Sequence, residues 1–130
     1  MNAKRIGVLF FVALTAMQAS TYAQIRLDGK WTGKEGEGKN AWPVSIELSV
    51  KGKILSGRRI VTLPDRRQEC DIEDGRVDGR VFSFKCELVA PDGGNPFTAE
   101  FEGFINSKGT EITVSPQKPA SGGPVTLSRN

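Results

Sequence analysis

The sequence contains no histidine. That removes the general base of Ser-His-Asp and Cys-His catalysis and the commonest zinc or copper ligand. Tyrosine occurs only as Tyr22, and cysteine only as Cys70 and Cys86. Long hydrophobic runs are missing too: the most apolar stretch, Ile6 to Leu14, falls well short of the about 20 residues that cross a bilayer as a helix. Carboxylates, lysines and arginines are what remains for chemistry, so the composition points away from an enzyme.

The apolar stretch follows Lys4 and Arg5 and leads into the small residues before Thr21-Tyr22-Ala23, the three regions of a Sec-type signal peptide cleaved before Gln24. Residues 1–23 are predicted to be removed, leaving residues 24–130 as one domain, periplasmic or secreted, with no membrane span. A lipid anchor would need a cysteine just after the apolar stretch, and none stands there. The formal charge of +3 loses Lys4 and Arg5 with the leader. The near-balance left behind argues against nucleic acid as a partner, because that affinity rests on concentrated basic charge. In an oxidising compartment Cys70 and Cys86 are expected to pair, closing a loop of about 15 residues worth roughly 3 kcal/mol in the chain-entropy model.

Alternation dominates the rest of the chain. Trp42, Val44, Ile46, Leu48 and Val50 share one parity, and Pro43, Ser45, Glu47, Ser49 and Lys51 the other, which is a strand with one dry face and one wet face. Lys51-Gly52-Lys53 ends it with a hairpin turn, whether centred on residues 51 and 52 or on 52 and 53. Either pairing places Leu55, Gly57, Arg59 and Val61 on the same face as Trp42, so Arg59 is expected to point inward. Cys70–Val77 and Arg80–Glu87 flank a second turn at Asp78-Gly79 that sets Cys70 nearly opposite Cys86. Asp74-Gly75 reads as a bulge, because the apolar parity changes between Ile72 and Val77. Further strands follow: Phe97, Ala99, Phe101, Gly103 and Ile105 on one inward row, a short one at Ile112 and Val114, and Val125, Leu127 and Arg129 at the end. Ser115 to Pro124 reads as a loop rich in proline and glycine. With Ile25 to Gly33 at the start, the count is about eight strands and no helix: an all-β, antiparallel up-and-down meander closed into a barrel, which leaves no exposed sheet edge.

The opening Asp28-Gly29-Lys30-Trp31-Thr32-Gly33 resembles the Gly-x-Trp first strand of the calycin superfamily of lipocalins, fatty-acid-binding proteins and avidins. The phrases Leu48 to Gly57 and Ile72 to Phe84 are similar to small exported bacterial β-barrel proteins of unassigned function. The resemblance implies a lipocalin-like barrel with Arg129 lying across Trp31 at its closed end. It does not extend to avidin-type biotin binding, since the mature chain has only Trp31 and Trp42 and no tyrosine.

Two functional readings stay open. In the first, the barrel is a non-enzymatic carrier of a small apolar molecule held among Trp42, Phe82, Phe84, Phe97 and Phe101, with Arg59 at the polar end. In the second, the barrel is solid and meets an envelope protein or a hydrolase through its loops, among them the Arg66-Arg67 turn and the loop Ser115 to Pro124. A cavity of about 300 Å³ or more would favour the first, a filled interior the second. No cofactor and no metal is expected: Asp71, Glu73, Asp74 and Asp78 cluster, but Cys70 and Ile72 stand where an EF-hand-type loop needs oxygen ligands. The protein is expected to be a monomer. Intact-mass measurement of the exported protein is expected to find Gln24 at the N-terminus, and retention of Met1 would refute the leader.

Overall fold

Residues that alternate dry and wet can bury one face of a ribbon by curling it onto itself, and the computed structural model takes this course. It describes residues 26–36, 38–89, 93–119 and 123–129. The expected leader 1–23, with Gln24 and Ile25, lies outside the described residues. The strands are β1 (Gly29–Glu35), β2 (Trp42–Lys51), β3 (Ile54–Thr62), β4 (Arg67–Asp71), β5 (Glu73–Asp78), β6 (Val81–Leu88), β7 (Phe97–Ile105), β8 (Glu111–Lys118) and β9 (Val125–Arg129). Among the described residues a 3-10 turn at Gly38–Asn40 is the only helical element. All pairings are antiparallel, and β2 pairs with both β1 and β3, so β1, β2, β3, β5, β6, β7, β8 and β9 close into a ring. The ninth strand, β4, lies along β3 as an extra strand.

The turns follow their glycines. Lys51 pairs with Ile54 around Gly52 at φ 65°, and Asp78 pairs with Val81 around Gly79 at φ 63°. Two expectations are revised. The arm Cys70–Val77 is two strands, because the ladder against β6 slips between Glu73 and Arg76 where Asp74 takes φ 50°. The segment at Ile112 and Val114 is longer than expected and runs to Lys118, so the loop predicted to begin at Ser115 starts later. Pro116 is tolerated inside this strand because it faces Phe101 at a register slip against Glu100, where the ladder is already interrupted.

The inward row fills the barrel. Phe82 and Phe84 are buried with ring centroids 6.4 Å apart, and Phe84 and Phe101 stack at 5.0 Å. Gly103 makes room for this column: a Cβ there would lie 2.5 Å from Cζ of Phe82. Gly57, at φ 146°, lets β3 approach β2 so closely that a Cβ would meet the Glu47 carbonyl oxygen at 1.8 Å.

One end is sealed. Trp31 is fully buried and its Nε1 donates to the Leu27 carbonyl at 2.9 Å. The Arg129 guanidinium lies across the indole, Cζ 4.2 Å from the ring centroid. It also donates to the carbonyls of Asp28, at 2.8 Å, and Arg26. The Asp28 carboxylate in turn accepts from the Val50 amide at 2.8 Å. The start of the described chain is thereby tied across the barrel floor to β2 and β9.

Elsewhere the wall is held differently. β3 pairs with β4 from Arg58 to Thr62 and with β5 only at Ile54 and Leu55. Among the described residues no ladder rung joins β4 to β6. The Cys70–Cys86 disulfide does, with the two Cα atoms 5.6 Å apart. Reduction of this bridge is expected to lower the melting temperature while leaving the β signal in circular dichroism; an unchanged melting temperature would show the bridge idle. Trp31→Ala is expected to cost about 3 to 5 kcal/mol in chemical denaturation, and a loss under about 1 kcal/mol would contradict its place in the core.

Candidate functional site

The end opposite Trp31 is the mouth, formed where β1, β3, β6 and β8 end and β2, β4, β7 and β9 begin. The six residues expected to line one ligand chamber do not do so. Phe82, Phe84 and Phe101 are core, stacked on one another on the inner face of the neighbouring strands β6 and β7. Trp42 is half-buried at the start of β2, and Phe97 is 39% exposed at the start of β7. Of the six, Arg59 and Phe101 belong to both the interior and the mouth.

Two spaces meet at Arg59. Inside, about 10 Å³ remains between Val44, Ile46, Val114, Val125 and Leu127, room for about one water molecule at most. Above it lies a recess of about 120 Å³ whose lining includes Gln68, Leu88, Phe97, Phe101, Pro116 and Pro119. Arg59 and Glu35 border both spaces.

Arg59 reaches this position because β3 pairs it with Ile46 on one side and Cys70 on the other, both inward residues. It is 6% exposed and is the buried charged residue among those described. Its Nη2 donates to both carboxylate oxygens of Glu35, each at a long 3.4 Å. Its Cζ lies 5.0 Å from the Phe101 ring centroid. Nη1 is buried and has no hydrogen-bond partner among the described residues. Burial pushes the guanidinium below arginine's ordinary pKa, and the Glu35 charge offsets part of that. An arginine stays cationic at neutral pH even so.

The other charged clusters face water. Arg58 pairs with Asp71 at 3.2 Å, Arg67 with Glu69 at 3.2 Å and Lys85 with Asp74 at 3.7 Å. Of the charged groups singled out in the sequence, Asp71, Asp74 and Arg67 are thus each paired on the outer wall. A larger depression, about 450 Å³, lies outside the wall among Lys53, Arg76, Asp78, Val81, Ser83 and Glu102. It is an open trough with charges of both signs rather than a chamber.

Sequence reasoning missed Glu35, Gln68, Leu88, Pro116 and Pro119 at the mouth. For Glu35 a signal exists, because it continues the inward parity of Trp31 and Gly33 on β1. A carboxylate on that row and Arg59 on the inward row of β3 are a candidate pair on parity alone. The remaining four come together only through the slipped end of β8 and the closure of the ring. No known protein family, curated protein or solved structure matches the chain.

Because a buried guanidinium with an unmet donor costs free energy, an apolar side chain of similar length is a better occupant for stability alone. Arg59→Met is expected to leave stability unchanged or raise it by about 1 to 2 kcal/mol in urea titration. A loss of more than about 2 kcal/mol would show instead that Arg59 is a structural tie.

Proposed function

We propose that this protein is an exported, non-enzymatic, lipocalin-like binding module whose solid barrel meets a protein partner through its mouth. The observation that carries the reading is the filled interior: among the described residues the inner space beside Arg59 holds about 10 Å³, against the about 300 Å³ or more of a typical small-molecule pocket. A carrier needs space that the Phe82, Phe84 and Phe101 column occupies. Recognition then falls to the surface, and the mouth combines apolar side chains at its rim, Trp42 half-buried and Phe97 exposed, with the recess over Arg59, whereas among the described residues Ile54, Val81 and Phe104 are exposed toward the closed end with no such recess between them. A solid barrel holding a set of loops at one end is a rigid presenter, the arrangement in which loops carry specificity.

Two features support export and the absence of catalysis. The Cys70–Cys86 bridge suits an oxidising compartment. With both cysteines in that bridge and no histidine in the chain, the side chains that most often serve as nucleophile and base are missing. The second reading, a small apolar ligand, is favoured by the recess among Leu88, Phe97, Phe101 and Pro116, whose about 120 Å³ admits only a fragment of such a molecule.

The test is native mass spectrometry and cross-linking of the protein purified from its own host's envelope. Phe97→Asp is compared with Phe104→Ser on the outer wall, where Phe104 is 51% exposed. A co-purifying protein whose recovery falls at least about tenfold with the mouth variant and is unaffected by the wall variant is expected. The opposite pattern, or a retained small molecule in place of a protein, would sink the reading.

A further inference from the structure

We infer that Arg59 forms the floor of a carboxylate-binding site in the barrel mouth, with Glu35 as a built-in placeholder that an incoming carboxylate displaces. The inference rests on the mouth being the recognising end and adds the chemistry of what enters it.

The geometry around the guanidinium is that of an incomplete ion pair. An arginine presents donors in a planar fork, and a carboxylate meets it best with two parallel hydrogen bonds. Glu35 instead places both oxygens on the single nitrogen Nη2, each at 3.4 Å, and leaves Nη1 without a partner among the described residues. Phe101 covers the guanidinium at 5.0 Å from its ring centroid, so the unused capacity of the group lies in its donor edge. The Glu35 side chain is 42% exposed while that of Arg59 is 7% exposed. Glu35 therefore recovers most of its hydration by swinging outward, whereas Arg59 cannot leave. A carboxylate that bridges Nη1 and Nη2 would satisfy the buried donor that Glu35 does not reach.

Charge and size narrow the ligand. The recess holds one buried cation, Arg59, in a mixed lining where Leu88, Phe97, Phe101 and Pro116 stand beside Glu35 and Gln68. A monoanion is neutralised there, whereas a phosphate dianion would keep a second negative charge unpaired beside the Glu35 carboxylate. The volume of about 120 Å³ is well below the about 300 Å³ of a typical small-molecule pocket. It suits a short free acid or the acidic end of one side chain on a partner protein. The shared chemistry is a carboxylate on a short apolar stem.

Propionate, its neutral isostere propionamide and a doubly blocked aspartate residue are the probes, titrated into the exported protein while the Arg59 Nε–Hε resonance and, in every variant, the backbone amides of Gln68 and Leu88 in the recess lining are followed by NMR. Propionate is expected to shift that resonance saturably and propionamide is not. Glu35→Gln removes the competitor and is expected to tighten propionate at least about threefold. Arg59→Met, with its folded spectrum retained, is expected to weaken it at least about tenfold. Tighter binding of the blocked aspartate assigns the site to a partner's side chain, and tighter binding of propionate assigns it to a free acid. Absence of a saturable shift in both wild type and Glu35→Gln, equal response to propionamide, or full binding in Arg59→Met overturns the site. If the site fails while Phe97→Asp still releases the partner, this inference falls and the mouth reading stands. If propionate binds but Phe97→Asp releases nothing, the protein-docking reading falls and the carboxylate site stands.

Discussion

The stacked column of Phe82, Phe84 and Phe101 on the inner face of β6 and β7 is the constraint from which the remaining features of this protein follow. An eight-stranded barrel is only just wide enough for its own side chains to fill. Here three stacked rings, with Ile46, Leu55, Val61, Ile112 and Leu127 around them, occupy that width. Each inward position then has to match the column, which is why Gly103 stands opposite Phe82. A filled axis also moves recognition to the ends, and one end is sealed by Trp31 under Arg129.

The wall departs from regular pairing at two slips, and at the one beside Asp74 chemistry covers the gap. The bulge at Asp74 turns the fourth arm so that its first half follows β3 while its second half joins β6. Where the β4–β6 ladder is absent, a covalent bond takes the place of hydrogen bonds. The disulfide thus does more than limit the unfolded chain: it closes the mouth half of the wall at the place where the recess is built. Gln68 on β4 and Leu88 on β6, two residues beyond the bridged cysteines, both line that recess.

Arg59 is the exception to the packing rule, and exceptions of this kind concentrate at functional positions. A leucine or methionine in its place would complete an apolar interior without an unmet donor. Instead the chain holds a cation against Phe101 with half a counter-ion. Stability alone does not select this arrangement, whereas a visiting carboxylate does.

Much of this was legible from residue order, since alternation is local. The inward rows on β2, β3, β6 and β7, the turns at Gly52 and Gly79, the bulge at Asp74 and the pairing of Cys70 with Cys86 each follow from spacing and turn chemistry within one hairpin. So did the inward direction of Arg59, because a period of two leaves no choice once Trp42 to Val50 face the core. Three matters were decided only by the folded ring. Whether aromatics on separate strands leave a chamber or fill it depends on strand tilt and on how rings from different walls interlock, and that is a property of the closed barrel rather than of any strand. The split of the fourth arm and the run of β8 through Pro116 depend on where neighbouring ladders slip. The partnership of Glu35 with Arg59, 24 residues apart in the chain, depends on the ends of β1 and β3 meeting at one rim, because a single sequence records which way a side chain points but not what waits for it there.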